Sequence, residues 1–344
     1  MTRPAPRNAR ELLELFSDYS PAKGLREMLR DLDFVDVEPR QIYFALLGRP
    51  PEKREFAIRS PGFLPVEKCI RGFGAEEFRK NLIPRFLEAF PEKQRLLLLH
   101  IPRTGGSQLS ARLAERYPTL SSQVLHGRGG DDEVYQHIRD AVVGLARSDH
   151  LLVCGHNTLE RYRTWRAIRF EDQLFGVVRE PAQAVISAVN YILTRMFATE
   201  KRPDPDAVGW RRNFEVSDFD KADSKAAAIE LAGRVLRSQG AVPANVACRY
   251  LGGTNADAAL EHAICYDIEL TDTEHLDVWC QAKWGIDRQT RSNESHSYVT
   301  LDDLSQADRD HIASITTEDA RLYATVQERL ARLGTVLVRG AQLA

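Results

Sequence analysis

Apolar and polar positions along the chain change rhythm once, near residue 95, and that change organises the reading. Up to about residue 90 the apolar residues recur at helical spacing in short runs: Ala9 to Phe16, Gly24 to Leu32 and Gln41 to Leu47. Pro50, Pro51, Pro61, Pro65 and Pro91 punctuate the stretch that follows, so short helices separated by breaks are expected. From Leu96 to Ile101 the pattern becomes a near-continuous apolar run, as expected of a strand buried on both faces of a parallel sheet. His150 to Cys154 and Gln173 to Val178 read as further strands, with helical segments between and after them. A polar, proline-bearing insertion spans Glu200 to Asp220; helices are expected at Ser224 to Gly240, Asp257 to Cys265 and Leu304 to Leu333. Strands alternating with helices predict an α/β fold with a parallel sheet flanked by helices. A small helical module over 1–90 and one large domain over 91–344 are expected.

Composition narrows the partners. With 43% hydrophobic and 28% charged residues the chain is expected to fold. A formal net charge of -2 gives no general field for nucleic acid or membrane surfaces, so an anionic ligand needs a local cluster. The five cysteines, Cys69, Cys154, Cys248, Cys265 and Cys280, form no C-x-x-C pair and read as reduced thiols of a cytoplasmic protein. Met1 to Ser20 lacks the apolar run of a signal peptide, and no stretch approaches the roughly 20 apolar residues of a membrane span.

The stretch Leu99-His100-Ile101-Pro102-Arg103-Thr104-Gly105-Gly106-Ser107-Gln108-Leu109 carries the most chemistry. A buried strand runs into a turn with two adjacent glycines and then into a helical pattern. Glycines let backbone N–H groups approach an anion, and the helix that follows offers unpaired donors and a positive dipole end. Arg103 adds a cation, Thr104 and Ser107 add hydroxyls, and His100 is expected to cap the strand end and shape the turn. The nucleotide-triphosphatase pattern, with Lys and then Ser or Thr after the last glycine, is absent, since Ser107 and Gln108 stand there.

A second anion site is suggested by Phe175-Gly176-Val177-Val178-Arg179-Glu180-Pro181, a strand leading into a helix at Pro181. Ser187, eight residues after Arg179, lies on the second turn of that helix, and Tyr191 one turn beyond.

Together these stretches resemble the sulfotransferases that use 3′-phosphoadenylyl sulfate (PAPS), most of all the carbohydrate O-sulfotransferase branch. There the first loop typically reads His-Ile-Pro-Lys-Thr-Gly-Gly-Thr-Ser, and the second motif is Arg-x-Pro with a serine eight residues after the arginine. The matching positions are Arg103, Thr104, Gly105, Gly106 and Ser107, then Arg179 and Ser187. Arg103 stands where the family has lysine, and Gln108 where it has a second hydroxyl. The likeness extends to Cys248-Arg249-Tyr250-Leu251-Gly252-Gly253 and to Arg291-Ser292-Asn293-Glu294-Ser295, followed by Asp319 and Leu322-Tyr323. Separately, Tyr43 to Pro50 and Glu77-Phe78 resemble a small helical module of bacterial cell-surface and glycan-modifying proteins.

What the resemblance implies is a P-loop-like sheet that binds PAPS and releases 3′,5′-adenosine bisphosphate, without a metal. Arg103 to Gln108 would hold the 5′-phosphosulfate, Arg179 and Ser187 the 3′-phosphate, and Arg291 and Ser295 would close over the donor. Arg103 would also neutralise the leaving oxygen; arginine keeps the charge of lysine but not its shape. Cys154-Gly155-His156 ends a strand, and His156 is the base the family implies; His126 is a reserve. Arg161, Arg163, Arg166 and Arg169, with Tyr162 and Trp165, form a basic-aromatic group able to grip a sugar or acidic acceptor. The acceptor class is a carbohydrate or glycoconjugate hydroxyl. Two other readings stand beside this one: a catalytically weakened donor- or glycan-binding protein of the same fold, and a P-loop nucleotide or sugar kinase.

Overall fold

A computed structural model of the chain describes residues 6, 8–30, 43–45, 47–50, 74–126, 130–197, 224–238, 240–286 and 296–343. The expected insertion at Glu200 to Asp220, Cys69, and Arg291 and Ser295 lie outside them. The fold is α/β, with a five-stranded, all-parallel sheet flanked by helices. Its strands are β1 (Gln94–Leu99), β2 (Thr119–Ser121), β3 (His150–Cys154), β4 (Gln173–Val178) and β5 (Glu269–Asp272), in the order β2-β3-β1-β4-β5. β1 runs beside β3 with Gln94 opposite His150 and Leu97 opposite Val153. β4 runs beside β5 with Phe175 opposite Glu269 and Val178 opposite Asp272.

The three strands expected from apolar runs are present, and Leu96 to Leu99 are fully buried as a two-faced strand requires. β2 and β5 are new. β5 reads Glu-Leu-Thr-Asp, too polar to announce itself, yet all four residues are buried. Its polar atoms are matched inside: Glu269 pairs with Lys283, and the Thr271 hydroxyl donates to the Val336 carbonyl at 2.6 Å. Burial of polar groups is tolerated when each finds a partner.

The helices that matter below are α1 (Gly106–Ala114), α2 (Leu159–Thr164), α3 (Pro181–Phe197), α4 (Lys225–Arg237), α5 (Leu276–Trp284), α6 (Gln306–Ile315) and α7 (Thr317–Leu333). The expected single helix over Leu304 to Leu333 is two, α6 and α7, broken at Thr316. The break has a visible cause. The Thr316 and Thr317 hydroxyls bond back to the Ile312 and Ala313 carbonyls, and the Asn245 side chain accepts the N–H groups of Glu318 and Asp319 at 3.1 and 3.3 Å. Among the described residues no helix is long and apolar enough to cross a membrane.

The chain divides into two compact units. One comprises Met1–Leu98, Ser110–Asn157 and Arg161–Gln173; the other Leu99–Leu109, Thr158–Glu160 and Leu174–Ala344. In the first, Phe16 and Tyr19 from the N-terminal segment pack their rings on Tyr135 at 5.7 and 5.6 Å, and the Tyr19 hydroxyl donates to Asp132. In the second, α3, α4 and α6 share a core of Val189, Leu193, Ala232, Val235 and Ile312. The rings of Phe175, Trp279 and Trp284 fix α5 against β4, with Trp279 to Trp284 at 4.8 Å. Trp279 is 1% exposed, so truncating it would cost about 3–5 kcal/mol. That packing sets where the first turn of α5 points.

Candidate functional site

β1 has β3 on one side and β4 on the other, so the chain leaves the tips of β1 and β4 in a crevice where the strand order reverses. The second unit has a cavity there of about 1330 Å³. His100, Arg103, Gly105, Gly106, Ser107 and Gln108 line it from the loop after β1. Arg179, Gln183, Ser187 and Asn190 do so from the tip of β4 and from α3.

The loop is built to a tight specification. Arg103 and Gly105 both take left-handed backbone, with φ of 67° and 87°. At Arg103 such a conformation carries a cost of order 1–3 kcal/mol, which surrounding contacts must offset. They are identifiable. The Arg103 carbonyl accepts from Arg179 Nη1 at 3.2 Å, and its Nε donates to Ser187 Oγ at 3.1 Å. Its guanidinium lies 4.8 Å over the Tyr191 ring. Burial, and then the neighbouring Arg179 charge, lower the Arg103 pKa, while Tyr191 opposes the shift. Two guanidiniums drawn together in a partly desolvated cavity favour an anion between them.

Thr104 departs from expectation. It is buried, and its hydroxyl donates to the Ile101 carbonyl at 2.9 Å, so the side chain braces the turn and does not line the cavity. Gly106 opens α1, and a Cβ there would collide with the His100 ring. His100 itself is buried, and its Nε2 lies 3.2 Å from Ser107 Oγ, within the turn it was expected to shape.

At the β4 tip, Pro181 begins α3 as expected. Glu180 Oε1 and Oε2 accept from the N–H groups of Ala182 and Gln183 at 3.0 and 2.6 Å. Those helix-terminal donors are thereby committed to a side chain, and Arg179 and Ser187 are among the side chains that line the cavity. Tyr191 does extend the same face, where Arg195 Nε donates to its hydroxyl at 3.2 Å.

Two walls escaped the sequence reading. Thr273, Glu274, Leu276 and Asp277 line the cavity from the turn after β5 and the start of α5. That turn is fixed by Asp272, fully buried, whose Oδ1 accepts from the N–H groups of Glu274 and His275 and approaches His275 Nδ1 to 2.8 Å. Ser297, Val299, Thr300 and Leu301 form the other wall. Asn190 holds it, donating to the Val299 carbonyl at 2.8 Å and accepting from the N–H groups of Tyr298 and Val299 at 3.0 Å. The signal for the first wall was weak because β5 is polar; an Asn amid the apolar Val189, Tyr191 and Ile192 was a signal for the second.

His156 belongs to the other unit and is not among the residues lining this cavity. It is exposed at the tip of β3. Gly155 before it has φ of 102°, and a Cβ there would meet Ser122 Oγ. Asn157 after it is fully buried, donating to the Cys154 carbonyl at 3.0 Å and to the Tyr162 hydroxyl at 3.3 Å. The side chain of His126 lies outside the described residues. The basic-aromatic group divides. Tyr162 is fully buried, with its hydroxyl 3.0 Å from the Leu98 carbonyl, and Arg169 binds the Pro91 and Lys93 carbonyls. Both are structural, whereas Arg161, Arg163 and Arg166 are exposed. Burial pushes the Cys154 thiol up to about 12, so it offers no nucleophile.

Among the described residues no group of three His, Cys, Asp or Glu side chains is placed to hold a metal ion. No known family model, curated protein or solved structure matches the chain.

Proposed function

We propose that the cavity binds PAPS and that the chain transfers its sulfuryl group to a hydroxyl of a carbohydrate or glycoconjugate. One observation carries the reading. Two short motifs meet where Arg103 donates to Ser187, 84 residues further along the chain, beside Arg179, in a single cavity at the tips of β1 and β4. Under this reading the loop is P-loop-like. Ser107, Gln108 and the Gly105-Gly106 backbone hold the 5′-phosphosulfate, and Arg179 and Ser187 hold the 3′-phosphate.

Chemistry then follows from positioning and charge. The acceptor oxygen attacks sulfur in line, the bond from sulfur to the bridging oxygen breaks, and the electron pair leaves on the phosphate of 3′,5′-adenosine bisphosphate. Arg103 stabilises that developing charge. The acceptor proton passes to a base, for which the family resemblance implies His156. Arg291 and Ser295 remain candidates for closing over the donor.

Calorimetric titration of the full chain with 3′,5′-adenosine bisphosphate and with ATP, both in EDTA, tests the donor site. Micromolar binding of the bisphosphate with weak ATP binding is the expected result. No bisphosphate binding, or ATP binding that appears with magnesium, overturns the reading in favour of a kinase. A second reading, donor binding with little transfer, draws on Arg103, whose guanidinium is committed to Ser187 and Tyr191. Bisphosphate binding without sulfuryl release from PAPS across neutral, amino and acidic sugars would select it.

A further inference from the structure

We infer that Tyr191 is a positioning residue for the cavity, its ring holding the Arg103 guanidinium where a bound anion meets it. The inference rests on the anion-binding reading of the cavity and adds to it a residue outside the cavity lining.

The placement begins with helical spacing. Ser187, Tyr191 and Arg195 follow one another at four-residue intervals on α3, so their side chains share one stripe of the helix. Arg103 meets that stripe twice. Its Nε donates to Ser187 Oγ at 3.1 Å, and its guanidinium carbon lies 4.8 Å from the centre of the Tyr191 ring. The ring is held in turn by Arg195, whose Nε donates to the Tyr191 hydroxyl at 3.2 Å and whose guanidinium lies 5.3 Å from the ring centre. One aromatic ring thus joins an arginine of the cavity wall to an exposed arginine of α3.

The arrangement suits an arginine in particular. A guanidinium is planar, delocalised and weakly hydrated, so a ring face attracts it well; an ammonium is a compact, strongly hydrated charge on a flexible stem. Position 103 also needs outside support. Its backbone is left-handed at φ of 67°, and Arg179 brings a second positive charge to within 3.2 Å of its carbonyl. Repulsion between the two guanidiniums favours conformers that carry Arg103 away, and the ring offsets that repulsion. Charge helps an anion most when it is already in place as the anion arrives.

A role in folding alone would look different. Tyr191 is 39% exposed and stands apart from the apolar core that Val189, Ile192 and Leu193 build with neighbouring helices. Replacing its ring costs folding little, so a change in affinity reports the contact with Arg103.

The test is a double-mutant cycle read by calorimetric titration of the full chain with 3′,5′-adenosine bisphosphate in EDTA. Tyr191→Leu is expected to weaken binding about five- to tenfold, the size of a partly desolvated contact between cation and ring, with the urea midpoint unchanged. Made on Arg103→Met, which removes the charge, the same substitution should alter affinity by no more than about twofold. Tyr191→Phe keeps the ring and drops the hydroxyl, and should stay within about threefold of the parent. Equal loss from Tyr191→Leu in both backgrounds, no loss in the parent, or a Tyr191→Phe protein as weak as Tyr191→Leu overturns the inference. In each of those cases the parent still binds the bisphosphate, and the donor-site reading stands alone. If the parent binds no bisphosphate, the reading and the inference fall together.

Discussion

The turns that end β1 and β3 solve the same problem differently. Each leaves a buried strand through a glycine in left-handed backbone, Gly105 at 87° and Gly155 at 102°. After β1 the polar side chains Arg103, Ser107 and Gln108 face a cavity, and the loop is braced from behind by the Thr104 hydroxyl and the His100 ring. After β3 the polar atoms turn inward. Asn157 binds the Cys154 carbonyl and the Tyr162 hydroxyl, and that hydroxyl lies 3.0 Å from the Leu98 and 3.2 Å from the Val153 carbonyls. One turn directs its polarity toward a cavity, and the other uses it to hold itself still beneath one outward histidine. Damage to the first should therefore register in binding, and damage to the second in stability.

The largest effect expected is at Arg179. Arg179→Ala removes a guanidinium that lines the cavity and the donor to the Arg103 carbonyl. Loss of about 2–4 kcal/mol in 3′,5′-adenosine bisphosphate affinity, roughly 30- to 700-fold, is expected by calorimetry. Urea unfolding of the same protein should move little. An unchanged dissociation constant would remove the β1 and β4 tips from the binding account.

The two glycines give the sharpest paired test. Gly155→Ala puts a side chain on a positive φ and against Ser122 Oγ, so the urea midpoint should fall by about 1–3 kcal/mol equivalent. Gly106→Ala meets the His100 ring instead, at a residue whose backbone is not left-handed. There the ring or the start of α1 must shift, and bisphosphate binding should weaken more than stability does. If Gly155→Ala proves the milder for stability, the contrast between the turns is broken.

Asn157→Ala comes next. It strips hydrogen bonds from a fully buried pocket and leaves the Cys154 carbonyl with one donor fewer. Destabilisation of about 1–2 kcal/mol is expected in urea, with bisphosphate affinity unchanged. An equal loss of affinity would mean the β3 turn is not the purely structural partner in this comparison.

How much of this was readable beforehand follows the same physics. Apolar runs announced β1, β3 and β4, because strands buried on both faces need little else. Arg179 at a strand tip and Ser187 on the second turn of the following helix read as able to converge, and the structure brings both to one cavity. β5 stayed hidden because Glu269, Thr271 and Asp272 are polar residues rendered burial-competent by partners as distant in sequence as Val336 and Gln327. With β5 went the wall formed by Thr273, Glu274 and Asp277. Thr104 was misread for a related reason: a hydroxyl in a loop can face a ligand or its own backbone, and only the turn geometry decides. The break at Thr316 depended on Asn245, which no local window includes.

The smallest effect expected is also the most discriminating. His156 is exposed, and the turn beneath it is held by Gly155 and Asn157. His156→Ala should change urea stability by no more than about 0.5 kcal/mol and leave bisphosphate affinity within twofold. Under the proposed function, sulfuryl transfer is then the property expected to fall. Transfer abolished against a silent background would assign the imidazole to proton removal, since neither folding nor donor binding had changed. Transfer undiminished would leave the inward-bonded β3 turn purely architectural, and the base would have to be sought among the groups that line the cavity.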